Sequence, residues 1–365
     1  MQSFFCQLIS FVYKYGLKPI LFLFNPEFIH HSFINIGKGL GGNNLTKNLM
    51  NTVWNNRHQN LSKKIDGITF PGPVGLAAGY DYDGDLVQTI PTLGFGFHTI
   101  GTVTYQSYEG NPPPRLTRLP KSKAILVNKG LKSSGAAAII AKLQNQVMEI
   151  PVGISIASTN RHYENEAEQI TEIVKCFELF ERSGLSHAYY ELNISCPNTF
   201  GGEPFTTPVK LEKLCQAIDD LDLSRPVYVK MPIDQVDEET IALLKVLHFH
   251  NVQGVVFGNL TKNKKNPNVY PLDRELWKRM KGNVSGKPTQ LRSDHCIDLC
   301  HRLFKKRFTI IGTGGIFTGA DAQRKLDLGA DLVQLATGLI YEGPGVVNEI
   351  NEYLTKNAET SKQSV

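Results

Sequence analysis

From about residue 65 onward, eight short apolar runs alternate with stretches of helical periodicity, and this alternation is what most constrains the fold. The runs are Val74–Ala78, Phe97–Val103, Val152–Ala157, Ala188–Ile194, Val227–Met231, Gly254–Gly258, Phe308–Gly312 and Leu332–Ala336. They are apolar throughout rather than at every second residue, as expected of parallel strands buried on both faces. Helices are predicted over Asp85–Leu93, Gly135–Gln146, Asn165–Ser183, Pro208–Leu221, Glu238–His248, Leu291–Lys306, Ala320–Leu328 and Gly345–Leu354. Eight strand–helix units predict an α/β fold of the (β/α)₈ TIM-barrel class, whose chemistry sits at the C-terminal ends of the strands. A doubly wound open sheet competes with this, but normally has fewer strands. With 365 residues, 41% of them apolar, the chain is long enough for one large barrel.

The segment before the barrel has a different character. Residues 1–64 carry Lys14, Lys18, Lys38, Lys47, Arg57, Lys63 and Lys64 against Glu27 alone, a net +6. The whole chain is +5, so the rest is close to neutral. The segment also holds two apolar runs, Phe4–Tyr13 and Pro19–Phe24. Neither reaches the roughly 20 residues that span a bilayer. The lysines follow the first apolar run instead of preceding it, and no arginine occurs before Arg57, unlike a secretory or mitochondrial leader. Short apolar helices beside lysines fit a segment lying on an anionic membrane surface. A helix pair capping the barrel fits as well. The expected organisation is therefore a helical N-terminal extension (1–64), a barrel (65–355) and a polar tail (356–365) that frays. A near-neutral barrel without a basic recognition helix speaks against nucleic-acid binding.

Six cysteines, at 6, 176, 196, 215, 296 and 300, form no CxxC pair, which suits a reducing compartment. Cys296 and Cys300 are four apart with no histidine at ligand spacing, so they read as packing and no metal site is expected.

The polar groups cluster where the runs end. Glu191-Leu192-Asn193-Ile194-Ser195-Cys196-Pro197-Asn198-Thr199 begins as a strand and ends with a thiol between two carboxamides. A carboxamide both donates and accepts hydrogen bonds, and a thiolate can take a proton. This set suits a planar heterocycle held by its amide edges while one C–H proton is removed. A lone cysteine is more often inert packing; the flanking Asn193 and Asn198 favour the functional reading. Small residues, Ala77-Ala78-Gly79, follow the first run, where a flat ring can approach the backbone. Lys230 lies inside the apolar fifth run and calls for an anionic or electron-rich partner. Asn259 ends the sixth run, Gly314 and Gly315 the seventh, and Thr337 and Gly338 the eighth. Backbone N–H groups after strands 7 and 8 are a common phosphate site in barrels. With no GxGxxG module present, FMN is better supported than NAD or FAD.

At these residues the chain resembles the dihydroorotate dehydrogenases, from about Leu21 to Tyr353. The resemblance rests on Gly72–Gly79, Gly94-Phe95-Gly96-Phe97, Glu109-Gly110-Asn111-Pro112-Pro113-Pro114-Arg115, Leu192–Thr199, Ile311–Ile316 and Leu332–Pro344. Leu23-Phe24-Asn25-Pro26-Glu27 with His30 resembles the helix-pair signature of the membrane-associated, quinone-using branch. The resemblance implies FMN-dependent oxidation of dihydroorotate to orotate in pyrimidine biosynthesis, with electrons passed to quinone at the cytoplasmic face of a bacterial inner membrane. It implies Cys196 as the base and Asn193, Asn198 and Asn259 as pyrimidine contacts. It places the flavin at Ala77, Ala78, Gly79, Thr102, Lys230, Gly286, Gly314, Gly315, Thr337 and Gly338, and quinone access at His30 and Arg118.

Several positions depart from that branch. It uses serine as base; cysteine, like the loop Phe200-Gly201-Gly202-Glu203-Pro204, resembles the soluble branch. Tyr82 stands where a lysine meets the flavin and the substrate carboxylate. Lys132 replaces an asparagine and is the expected substitute for that lost charge. Ser155 replaces a flavin-binding asparagine, and Ala336 a tyrosine at the quinone site. A related flavoprotein with another substrate or a soluble acceptor, or a degenerate flavin binder, remains the alternative.

Overall fold

The computed structural model describes residues 2–55 and 59–363, so Arg57 and the last two residues of the tail lie outside the described residues. Eight parallel strands close into a barrel: Val74–Leu76, Phe97–Val103, Val152–Ile156, Tyr189–Asn193, Val227–Met231, Gly254–Phe257, Thr309–Thr313 and Leu332–Leu335. They pair in chain order, and the eighth closes on the first. Every expected run becomes a strand, displaced by no more than two residues at either end, and the open sheet is excluded.

Six expected helices form close to their expected positions, at Ala136–Leu143, Glu166–Arg182, Pro208–Asp219, Asp237–His248, Gln290–Phe304 and Gly319–Asp327. The helix expected over Asp85–Leu93 does not form; only a 3₁₀ turn, Ile90–Leu93, appears there. The Asp81 carboxylate accepts the backbone N–H groups of Asp85 and Leu86, each at 2.9 Å, and holds the segment in turns. Pro91 has no N–H to continue a helix. At the other end, the last helix runs Val346–Gln363 and carries order past Lys356, where polar composition suggested fraying.

Inward-facing side chains fill the lower barrel. Phe97, Tyr189, Tyr228, Val256, Ile311 and Leu332 pack with Phe70, which comes from outside the barrel. Phe70 ends a hairpin, Lys63–Ile65 with Ile68–Phe70, that precedes the first strand and so closes the N-terminal end. At its turn, the Asp66 carboxylate accepts the Tyr228 hydroxyl at 2.9 Å and the Thr309 hydroxyl at 2.7 Å. Only the C-terminal end is left for a site. Two unexpected features border that end. One is a three-stranded antiparallel sheet, Leu116–Leu119, Ala124–Val127 and Asn283–Gly286. The other is the short helix Thr337–Glu342, which directly follows the eighth strand.

The N-terminal segment is helical, as expected: Gln2–Val12 running on through Leu21, then Pro26–Gly41 and Asn44–Trp54. The Asn25-Pro26-Glu27 motif has a structural explanation. The Asn25 side chain caps the second helix by accepting the N–H groups of Glu27 and Phe28 at 2.9 and 3.1 Å, and Pro26 occupies a position where no N–H is needed. Glu27 then reaches the barrel side, with its carboxylate 3.3 Å from Arg115 and 3.6 Å from Lys129. Further along, Gly37 and Gly41 let the helix lie against the 86–89 segment; a Cβ at Gly41 would come within 2.3 Å of the Thr89 hydroxyl.

Four lysines of this segment are tied to the barrel side. Lys14 pairs with Glu342 and Glu349, Lys38 with Asp85, Lys47 with Glu149, and Lys18 donates to the Tyr341 carbonyl. Large apolar side chains are also left exposed, among them Phe11, Tyr15, Ile20, Leu23, Phe28 and Leu45.

Replacing Phe70 by alanine removes a fully buried ring from the barrel plug and should cost about 3–5 kcal/mol in equilibrium denaturation. A loss within about 0.5 kcal/mol, the range of a surface substitution, would show that the hairpin does not seal the barrel.

Candidate active site

A cleft opens at the C-terminal end of the barrel, and its lining includes Ala77, Ala78, Lys230, Asn259, Gly286, Gly314, Gly315, Thr337 and Gly338. Strands 1, 5, 6, 7 and 8 of the barrel deliver all of these but Gly286, which ends a strand of the antiparallel sheet. The glycines are required by the backbone and its neighbours. Gly314 and Gly315 have φ of +95° and +71°, a region that strains other residues. A Cβ on Gly338 would lie 2.1 Å from the Ile316 carbonyl oxygen. The turns therefore present main chain to the cleft, and the first N–H groups of the helix at Thr337 have no intrahelical acceptor. Ser285, not expected at the site, also lines the cleft and shares a 2.9 Å hydrogen bond with Thr337.

Gly79 and Thr102, both expected to hold a cofactor, do not line this cleft. The Gly79 N–H is tied to the Gly101 carbonyl at 2.7 Å. The Thr102 hydroxyl lies 3.1 Å from Ser155 and accepts the Asn193 amide at 2.8 Å. Thr102 thus orients a carboxamide.

Above the fourth strand, Cys196 is half-buried, whereas the other five cysteines are buried. Its thiol is pushed up to about 11, chiefly by burial and then by Glu203, against the opposing effects of the Asn198 N–H and Lys230. The carboxamides around it are pre-positioned. Asn259 donates to the Ser195 hydroxyl at 2.7 Å and its carbonyl at 2.9 Å. The Ser195 hydroxyl and N–H donate in turn to Asn193 Oδ1, each at 3.2 Å. Asn198 donates to the Val127 carbonyl at 2.9 Å and accepts from Asn283 at 2.8 Å.

Three further asparagines were missed. Asn283 is one; the others are Asn111, which donates to Asn128 Oδ1 at 3.0 Å and to the Asn198 carbonyl at 2.9 Å, and Asn128 itself. Two had a readable signal, since Asn111 lies in the Gly110–Arg115 motif and Asn128 directly follows an apolar run, as Asn259 does.

Lys132 is the residue expected at the substrate carboxylate. Its ammonium lies 3.8 Å from Glu109, whose side chain is 93% exposed. The buried cation of this loop is Lys129, which carries no hydrogen bond on its ammonium and sits 4.8 Å over the Tyr82 ring. Burial lowers it to about 8, against the opposing pull of Glu27. A lysine between the apolar run Ala124–Val127 and Gly130-Leu131 was the available signal.

A second, apolar cavity lies between the N-terminal helices and the barrel. His30 and Arg118, the two residues expected at the quinone access, both line it, along with Phe22, Phe33, Tyr80 and Leu339. Arg118 donates to the Phe24 carbonyl at 2.7 Å and stacks 4.6 Å over the Phe22 ring, fixing the loop before the second helix. His30 packs edge-on against Tyr80 and Tyr82. Burial, aided by Lys129, pushes it down to about 3 and keeps it neutral. Tyr80 lies only two residues beyond Ala78 of the first cleft.

The thiol environment gives a direct expectation. Iodoacetamide should modify Cys196 first, at a rate that rises roughly tenfold per pH unit from about pH 7 to about pH 10. Mass spectrometry locates the adduct; a rate already level near neutrality would show an ionised thiol.

Residues 60–357 match the model of the dihydroorotate dehydrogenase family. A dihydroorotate dehydrogenase (quinone) of Trichodesmium erythraeum is 32% identical, with 95% of each chain covered. One from a Synechococcus strain is 35% identical over 84% of this chain and 82% of its own. A crystal structure of the Eimeria tenella dihydroorotate dehydrogenase in complex with ferulenol superposes with a TM-score of 0.79 over 92% of each chain, and at 24% identity it supports the fold alone. With a barrel mouth that joins a thiol, a ring of carboxamides and a glycine-lined cleft, and with the family match spanning most of its length, this chain belongs to the dihydroorotate dehydrogenase family.

Proposed function

We propose that this protein oxidises dihydroorotate to orotate with FMN and passes the electrons to a quinone. The observation that carries the proposal is the adjacency of two unlike spaces, the polar cleft at the barrel mouth and the apolar cavity under the N-terminal helices. The lining of the cleft fits a planar cofactor with a phosphate tail. Ala77 and Ala78 leave room for a flat ring, Lys230 supplies a buried cation, and the turns at Gly314, Gly315, Thr337 and Gly338 present main chain for the phosphate. Bound FMN supplies the hydride acceptor. Cys196, once ionised, takes the proton from the neighbouring ring carbon. Asn193, Asn198 and Asn259 hold the pyrimidine amide edges, with Asn111 and Asn128 bracing Asn198. For the substrate carboxylate, the buried ammonium of Lys129, which lies 3.6 Å from Glu27 but makes no hydrogen bond, is a better candidate than Lys132, which turns to the exposed Glu109.

The apolar cavity favours a quinone over a soluble acceptor, although Cys196 and the Phe200–Pro204 loop resemble the soluble branch. Among the described residues no helix is long and apolar enough to cross a membrane. The exposed apolar side chains of residues 8–49 instead form a surface suited to lie in a membrane interface, a peripheral mode of attachment. Because Lys14, Lys18, Lys38 and Lys47 are engaged with the barrel, the attachment is apolar rather than electrostatic.

Two outcomes follow. Cys196→Ala should keep its flavin yet lose roughly 10²–10⁴-fold in the stopped-flow rate of flavin reduction by dihydroorotate; near-normal reduction would remove Cys196 from the role of base. In vesicle flotation, mild detergent should release the protein while about 1 M salt, which screens exposed charges within a few ångströms, should not. Release by salt alone would restore the electrostatic account.

A further inference from the structure

Glu191 is the least expected residue in the barrel. It is fully buried, and neither carboxylate oxygen has a hydrogen-bond donor. Strand alternation turns Tyr189, Glu191 and Asn193 to the same side. Tyr189 packs inside the lower barrel and Asn193 belongs to the mouth, so Glu191 lies between them. Its neighbours across the ladders are Ser155 on the third strand and Tyr228 on the fifth. Lys230, the cross-strand partner of Asn193 and two residues along the fifth strand from Tyr228, brings its ammonium to 3.6 Å from the Glu191 carboxylate. This is the only ion pair of either residue among the described residues. Lys230 also lines the cleft, whereas Glu191 does not reach it.

A carboxylate without donors in such a place is costly unless a cation compensates it. An apolar residue would fill the position more cheaply, since the layer below is made of Tyr189, Tyr228, Val256 and Ile311. The carboxylate is therefore explained by what it does to Lys230. It draws the ammonium toward the strand wall and cancels part of its charge as seen from the cleft. Reduction of a bound flavin adds negative charge to the ring, which a facing ammonium stabilises. An anion behind that ammonium opposes the stabilisation.

We propose that Glu191 is a positioning residue that acts through Lys230 to lower the reduction potential of the bound flavin, biasing it toward electron release to the acceptor. This rests on the FMN reading above, and the experiment separates the two. The holoenzyme and its Glu191→Gln variant are titrated against reference dyes. Glu191→Gln should raise the potential by at least a tenfold change in the oxidised-to-reduced ratio, about 30 mV for a two-electron couple. Lys230→Met should lower it, and in the double variant Glu191→Gln should no longer raise it. A purely structural role would change flavin retention and leave the potential in place. An unchanged potential in a flavin-loaded Glu191→Gln variant overturns the proposal and leaves the FMN reading intact, whereas a natural chain that takes up no FMN overturns both. If the variant does not retain flavin, the thiol carries the test, because Lys230 is among the groups that hold the Cys196 thiol down. Loss of Glu191 should then shift Cys196 alkylation to lower pH, and an unshifted profile overturns the proposal.

Discussion

Closure of eight parallel strands, with side chains alternating in and out, is the constraint on which the rest of the structure depends. Once the barrel closes, inward residues fall into layers, and the character of each layer follows from what blocks water. The Lys63–Phe70 hairpin blocks the lower end, so aromatic and aliphatic side chains fill the layer above it. Polar groups are confined to the upper layers, where they must find partners within the protein or in a ligand. The asparagines solve this by bonding to one another and to main chain. Glu191 and Lys230 solve it by pairing, and the pair leaves the lysine on the cleft side.

The N-terminal segment obeys the opposite arrangement. A helix pair bound to a soluble core normally turns its apolar face inward and its charges outward. Here Lys14, Lys38 and Lys47 are spent on carboxylates of the barrel side, and Glu27 returns the favour to Arg115 and Lys129. Large apolar side chains are left outside, and between segment and barrel a cavity remains open. The same inversion accounts for docking by charge, an apolar outer surface and an apolar passage that ends beside the first strand's polar turn.

The strands were legible because buried parallel strands are apolar over their whole length, and the residues at their ends were legible because polarity changes abruptly there. Lys230, Asn259, Gly314 and Thr337 were found in this way. What escaped depended on tertiary contacts. Asp81 capturing two backbone N–H groups, which stops the 85–93 helix, cannot be seen from periodicity. The three-stranded sheet joins runs more than 150 residues apart, and with it came Ser285 and Asn283. Lys132 and Lys129 are three residues apart in one loop; only the backbone path decides which is buried. The basic composition of residues 1–64 was correctly counted, but composition does not say which way a lysine points.

On the proposed reading, these elements converge on a barrel mouth suited to a flavin and a pyrimidine beside a thiol, with a separate apolar cavity suited to the acceptor. The most direct measurement is the visible spectrum of the purified protein under anaerobic conditions, first with dihydroorotate and then with a short-chain ubiquinone. The account predicts a flavin absorbance that bleaches on dihydroorotate and recovers on quinone, with the released cofactor running as FMN on chromatography. A protein with no flavin absorbance, or with a flavin that dihydroorotate does not bleach, would contradict it.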